Sequence, residues 1–166
     1  MAFSKIIAES MDLTDTYAFT GTVTGAGESN KPYFHAYRGS NQSLSSGTWT
    51  KIQIDTELVD SANAYDNSSN YRFTPQTAGK YFIYGQATNS TGSDMDRCMA
   101  GIYLNGSAVS QTNSYSSDSS SSLTSTIVTL NGSSDYVELY GYFGVGTNTD
   151  QQNRATFFGG YLISTT

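Results

Sequence analysis

The side chains that could do chemistry are few and stand apart. His35 is the only histidine, set between Phe34 and Ala36. A catalytic imidazole needs a nucleophile or a metal partner, and one histidine with no identifiable partner builds no triad. The only cysteine, Cys98, lies in the apolar run Arg97-Cys98-Met99-Ala100-Gly101-Ile102. That setting suits a buried thiol, not a thiolate nucleophile. Asp94 and Asp96, after Ser90-Thr91-Gly92, could offer oxygens to a hard cation, but two carboxylates in a polar loop are more often simply solvated. Asp118 stands alone among serines. Gly144-Val145-Gly146-Thr147-Asn148 lacks the strand-to-helix context of a phosphate cradle and reads as a turn. A glycosidase needs two placed carboxylates with helper residues, and none can be assembled. The sequence therefore predicts a protein that is not an enzyme, with no catalytic, cofactor-binding or metal-binding residues.

Composition points the same way. Asp, Glu, Lys and Arg make up 13% of the 166 residues, about half the usual ~25%. Solubility must come from Ser, Thr, Asn, Gln and Tyr, and such a surface repels its own copies weakly, which suits a repeating assembly. The net charge of −6 and the eight scattered basic residues argue against nucleic acid, which needs clustered Lys and Arg. No window approaches the ~18 apolar residues of a membrane span, and the start MAFSKIIAESMD has no apolar stretch long enough for a signal peptide. A single cysteine permits no internal disulfide. Five Asn-x-Ser/Thr triplets, from Asn41 to Asn131, reflect Ser/Asn richness and not glycosylation. The chain is expected to be made and folded in a cytoplasm.

The elements that would position these residues are strands. Thirteen Tyr, eight Phe and one Trp favour strands and large interfaces. Strand-like runs recur at Tyr33–Arg38, Trp49–Ile54, Arg72–Phe73, Lys80–Thr88, Cys98–Leu104, Ser125–Leu130, Asp135–Phe143 and Ala155–Ser164. Turn chemistry separates them, and the eight runs have the cadence of an eight-stranded sandwich or jelly roll. Tyr65 to Ile83 reads as a hairpin, with Pro75 ending one strand and Ala78-Gly79 turning the chain. Leu104-Asn105-Gly106-Ser107 reads as a hairpin turn, and Asn131-Gly132 as a second. Ser114 to Ser122 reads as an exposed loop or a polar strand end. Alternation sends Tyr81, Ile83, Gly85 and Ala87 one way and Phe82, Tyr84 and Gln86 the other. It likewise divides Val137, Leu139 and Phe143 from Tyr136, Tyr140 and Tyr142. One set fills a core; the aromatic set would be an exposed patch unless partner copies cover it. Tyrosine with Ser, Gly and Asn also makes adaptable binding surfaces, and aromatic faces stack on sugars.

Residues 1–30 read as an arm, or alternatively as a first strand of the main domain, before a jelly-roll domain at 31–166. Phe3, Ile6, Ile7 and Met11 have helix-like spacing over a length marginal for an isolated helix. Tyr17, Phe19 and Val23 alternate, and Gly25 to Asn30 make a linker.

Several blocks carry a resemblance: Phe34-x-Ala36-x-Arg38, Tyr71-Arg72-Phe73-Thr74-Pro75-x-x-Ala78-Gly79-Lys80-Tyr81-Phe82-Ile83, Leu130-Asn131-Gly132 with Asp135-Tyr136-Val137-Glu138-Leu139, and Phe157-Phe158-Gly159-Gly160-Tyr161-Leu162-Ile163. Together, over about residues 33–165, they resemble the globular head domain of complement subcomponent one-q and its tumour-necrosis-factor-like relatives. The resemblance implies an all-β, TNF-like jelly-roll sandwich of two antiparallel sheets, preceded here by an extended N-terminal arm. It also implies a bell-shaped homotrimer. Tyr81, Ile83, Val137, Leu139, Phe158 and Leu162 would then be core, and Phe82, Tyr84, Tyr136, Tyr140 and Tyr142 the trimer interface. The chain departs from that pattern in lacking a collagen-like stalk and in the Ser133-Ser134 insertion, and no calcium ligands can be carried over.

The arm sequence SKIIAESMDLTDTYAFTGTVTGAG is similar to the leaders of structural proteins in tailed phages of aquatic bacteria. This resemblance implies virion anchoring through Phe3, Ile6, Ile7, Tyr17, Phe19 and Val23. The functional expectation is a homotrimeric capsid decoration protein of a bacteriophage, bound to the major capsid protein or a tail protein. The alternative is a tail-fibre or receptor-binding tip that attaches to host-surface carbohydrate.

Overall fold

The structure is a computed structural model that describes residues 30–90, 96–115, 121–150 and 154–166. Its strands in chain order are β1 (Tyr33–Tyr37), β2 (Ser43–Leu44), β3 (Thr50–Lys51), β4 (Thr56–Asp60), β5 (Tyr65–Asp66), β6 (Arg72–Phe73), β7 (Ala78–Thr88), β8 (Arg97–Leu104), β9 (Ser107–Gln111), β10 (Ser114–Tyr115), β11 (Ser121–Asn131), β12 (Val137–Phe143), β13 (Thr147–Asn148) and β14 (Phe157–Thr165). Among the described residues they form a five-stranded sheet, β11-β7-β14-β1-β4, and a second sheet, β10-β8-β12-β6-β5, with β3 added to β12 and β9 to β8. β13 and β2 form a separate two-stranded ladder. Every pairing is antiparallel. This is the jelly-roll sandwich that the alternating strands predict.

The core lies between the two sheets. Tyr81 and Ile83 of β7, Val137 and Leu139 of β12, and Phe158 and Leu162 of β14 are all buried, as expected from their parity. Phe34 of β1 joins the layers. Its ring stacks on Phe73 of the second sheet at 4.3 Å and on Tyr65 at 5.1 Å, and meets Phe158 edge-on at 5.2 Å. Offset and edge-on contacts of this kind add to the large apolar area that aromatic rings withdraw from water.

Where β1 ends, the chain is clasped to the segment that leads into β4. The buried Arg38 guanidinium donates to Asp55 at 2.9 Å, to the Gln53 carbonyl, and to the Asn41 carbonyl at 3.1 Å. Burial alone would raise the Asp55 carboxyl. Hydrogen bonds from Ser40 and the Gly39 N–H, with the Arg38 charge, instead hold it below the usual carboxylate range.

Two turns differ in kind. Asn105 (φ 50°) and Gly106 (φ 80°) close the β8–β9 hairpin, as the Asn-Gly signal predicts. Asn131-Gly132 is also a turn, but it carries the chain from β11 in one sheet to β12 in the other. The Asn131 side-chain oxygen accepts the N–H groups of Ser133, Ser134 and Asp135, so the serine insertion is held within the turn.

The expected Tyr65–Ile83 hairpin is corrected. β6 pairs with β5 and β12 in the second sheet, whereas β7 belongs to the first. Residues 74–77 are therefore a crossover between layers. Proline and glycine mark a change of direction but not the partner that the next strand finds. The tight pair within this stretch is β5–β6, joined through Asp66, whose carboxylate accepts the N–H groups of Ser68, Ser69 and Asn70.

Phe34→Ala should cost about 3–5 kcal/mol, the range for an aromatic truncated inside a packed core. Urea unfolding at fixed protein concentration measures it. A loss under ~1 kcal/mol would show that the inter-sheet stack does not hold the layers together.

Candidate assembly face

Pairing registers set the outer face of the five-stranded sheet into rows. One row runs Ile127, Phe82, Tyr161, Tyr33 across β11, β7, β14 and β1. The next runs Ser125, Tyr84, Gly159, His35 and on to Val59 of β4. The third runs Leu123, Gln86, Phe157, Tyr37 and Thr56. None of these positions is Asp, Glu, Lys or Arg. Ile127 and Leu123 are 61% and 57% exposed, and Tyr161, Val59 and Tyr33 between 37% and 39%. Contiguous apolar surface of this kind is uncommon on a monomer and marks an interaction surface.

Gly159 organises the middle row. A Cβ there would lie 2.5 Å from Cζ and Oη of Tyr84. Without one, the tyrosine lies across β14 and brings its hydroxyl within 3.0 Å of Nδ1 of His35, two strands away. Tyr84 also meets Phe82 at 6.0 Å and Phe157 at 6.2 Å, and Phe82 meets Tyr161 at 5.6 Å. An open groove of about 570 Å³ beside them is lined by Asn30, Tyr33, His35, Val59, Tyr84 and Tyr161 among others. Burial, and then the charge of Arg154, hold the His35 imidazole below its ordinary 6.5. Burial likewise pushes the Tyr84 phenol up, with Tyr161 adding to the shift. Both rings are thus neutral at pH 7.

Of the residues expected at one trimer interface, Phe82 and Tyr84 lie on this face. Tyr140 and Tyr142 stand on the outer face of the second sheet, with Tyr136 just before β12. Tyr140 stacks on Tyr103 at 4.0 Å, Tyr142 meets Trp49 at 5.7 Å, and the Arg72 guanidinium lies 4.3 Å over Tyr136. The structure does not bring the two groups together. β7 and β12 belong to different sheets, so equal parity about a shared core sends their outward residues to opposite sides of the sandwich.

The residues expected to anchor the chain, Phe3, Ile6, Ile7, Tyr17, Phe19 and Val23, and also Asp94 and Asp118, lie outside the described residues. Asp96 is exposed, 3.8 Å from Arg97. Cys98 is buried, with Sγ 3.6 Å from the Ala87 carbonyl oxygen. Among the described residues no group of three or more His, Cys, Asp and Glu is placed to hold a metal.

Phe157, Tyr161, Leu123, Ile127 and Val59 were missed by residue-level reasoning. Parity held the signal for β14, since an inward Phe158 and Leu162 require an outward Phe157 and Tyr161. β4, reading TELVD, gave none.

No protein-family model matches the sequence, and no curated protein does. Solved structures are similar in fold. The globular domain of zebrafish complement 1qA matches with a TM-score of 0.62 at 18% identity, covering 82% of this chain and 99% of its own. Murine APRIL matches at 0.62 and 10% identity over 80% and 98%. Eiger TNF from S. frugiperda matches at 0.60 and 12% identity over 82% and 96%. The described domain thus has the C1q/TNF jelly-roll fold.

Two outcomes follow from the middle row. Folding favours neutral His35, because its folded pKa lies below 6.5. Its contribution is fully present above about 6.5 and is lost as pH falls through the folded value. Between about pH 7.5 and 5 the wild-type melting temperature should drop further than that of His35→Phe; parallel curves would contradict the assignment. Gly159→Ala should lift Tyr84 off His35 and raise the histidine's pKa toward 6.5, read by NMR titration, whereas an unmoved pKa would show that the ring does not depend on the glycine.

Proposed function

We propose that the protein is a non-enzymatic virion structural protein: a homotrimer that decorates the capsid exterior, with residues 1–30 as its anchoring arm. The observation that carries this reading is the run of rows on the five-stranded sheet that hold no Asp, Glu, Lys or Arg and are rich in aromatic and aliphatic side chains. Each square ångström of apolar surface withdrawn from water gains about 25 cal/mol, so a face this apolar is more stable covered than wet. A second and third copy offer the same rows, and an interface repeated around a closed axis covers every copy. The similarity in fold to C1q and TNF-type structures supports three copies over two. The virion address is supported by the phage-like leader and by the low charge content, which lets copies crowd on a lattice with little repulsion.

Light scattering should give three times the 17.9 kDa chain mass. Ile127→Asp or Tyr84→Asp, each placing a charge among apolar rows, should reduce it to one chain while far-UV dichroism keeps the strand signal. A monomeric wild type, or a trimer indifferent to both substitutions, contradicts the seam. Deleting residues 2–27 should leave a folded trimer that no longer copurifies with tail-less capsids. If the full chain is recovered only with tails, it is a fibre component instead.

A further inference from the structure

The second sheet has an outward surface of different chemistry. Parity on β12 places Tyr140 and Tyr142 outward, on either side of buried Gly141. Tyr140 pairs in register with Lys51 on one side and Gly101 on the other. Tyr103 of β8 stacks on Tyr140 at 4.0 Å with the planes 26° apart. Trp49, just before β3, lies 6.2 Å from Tyr103 and 5.7 Å from Tyr142. A Cβ on Gly101 would lie 3.1 Å from both the Trp49 and the Tyr103 rings, so the two rings rest over bare backbone. All four rings are half-buried, held by the sheet and by one another while part of each stays open to solvent.

We infer that Trp49, Tyr103, Tyr140 and Tyr142 form a stacking platform for a neutral carbohydrate. The contrast with the opposite face carries the argument. There the open side chains include Ile127, Leu123 and Val59, which fit only another apolar surface. Here the four rings all carry a hydroxyl or an indole N–H, and none of the four is aliphatic. A sugar ring has the complementary surface: C–H groups on its faces to lie against aromatic rings, and hydroxyls at its edges to hydrogen-bond with theirs. Gln111 donates to the Tyr103 hydroxyl at 3.1 Å, holding that polar edge in place.

Charge selects the class of sugar. Two cations beside the platform are already engaged: Lys51 lies 2.9 Å from Glu138 and also donates to the Asn70 carbonyl at 3.0 Å, and the Arg72 guanidinium lies 4.3 Å over the Tyr136 ring. Glu138 is buried beneath its neighbours, and Lys51 is turned toward it. Among the described residues the cations beside the platform are therefore held by groups of the protein and not offered to a uronic or sialic acid, and a protein of net charge −6 repels polyanions generally. The inference does not rest on the trimer. The two faces are separate sides of one sandwich, and sugar binding is measurable on a single copy.

Trp49 is the only tryptophan in the chain, so its fluorescence reports on the platform without labelling. The full-length protein is titrated with cellotetraose, maltotetraose and chitotetraose. The expected result is a saturable emission change with at least one of them, half-complete on the order of 1 mM. Tyr140→Ala and Tyr142→Ala should each weaken that binding about tenfold, equivalent to ~1.4 kcal/mol, with unchanged dichroism. Tyr115→Ala, an exposed tyrosine outside the platform, should leave it as it was. No saturable change with any of the three at ~20 mM would overturn the inference. So would a response that survives both platform substitutions. A Tyr140→Asp variant whose mass falls to one chain would instead assign this face to a second copy.

Discussion

The structure depends on the two-sided pairing of β7. All its residues from Ala78 to Thr88 pair with β11, and most of them also pair with β14. A strand locked on both edges cannot slip, because a shift of one residue would exchange its two faces. Tyr81, Ile83 and Ala87 are thereby committed to the core, and Phe82 and Tyr84 to the outside. The same lock passes through β14 to β1 and places His35 in line with Tyr84. The apolar rows are the second side of a strand whose first side is the core.

Glycines then decide how the outward rings lie. Gly159 leaves room for Tyr84 to lie across β14, and Gly101 leaves room for Trp49 and Tyr103 on the other sheet. In each case a side chain on the strand would displace the rings above it. Gly85 acts inward in the same way, since a Cβ there would lie 2.6 Å from Leu139 of the facing sheet. The sandwich thus closes tightly at its centre and carries flat aromatic surfaces outside. Aliphatic residues accompany one surface and hydroxylated rings make up the other, which suits the first to copies of the chain and the second to a solvated ligand.

Much of the fold was legible in the sequence because alternation is local. The inward and outward sets on β7 and β12 could be read from each strand alone, and so could the Asn105-Gly106 turn. What could not be read was which strands share a sheet. Phe73 and Tyr81 are close in sequence yet belong to opposite layers, so the apparent hairpin is a crossover. The same limit hid that Tyr84 and Tyr140 lie on opposite faces of the sandwich. β4 escaped notice because TELVD is short and charged. It lies at the sheet's edge, and its pairing with β1 is interrupted by a register shift between His35 and Ala36, so no clean period survives.

The central claim is that the two outer faces have different fates, one sealed by copies of the chain and one open to solvent. Hydroxyl-radical footprinting of the intact protein, read by mass spectrometry at single residues, compares them in one experiment. The account predicts strong protection of Phe82, Tyr161 and Ile127 together with ready oxidation of Trp49, Tyr140 and Tyr142. Equal oxidation of both sets, or protection of the second set alone, would contradict it.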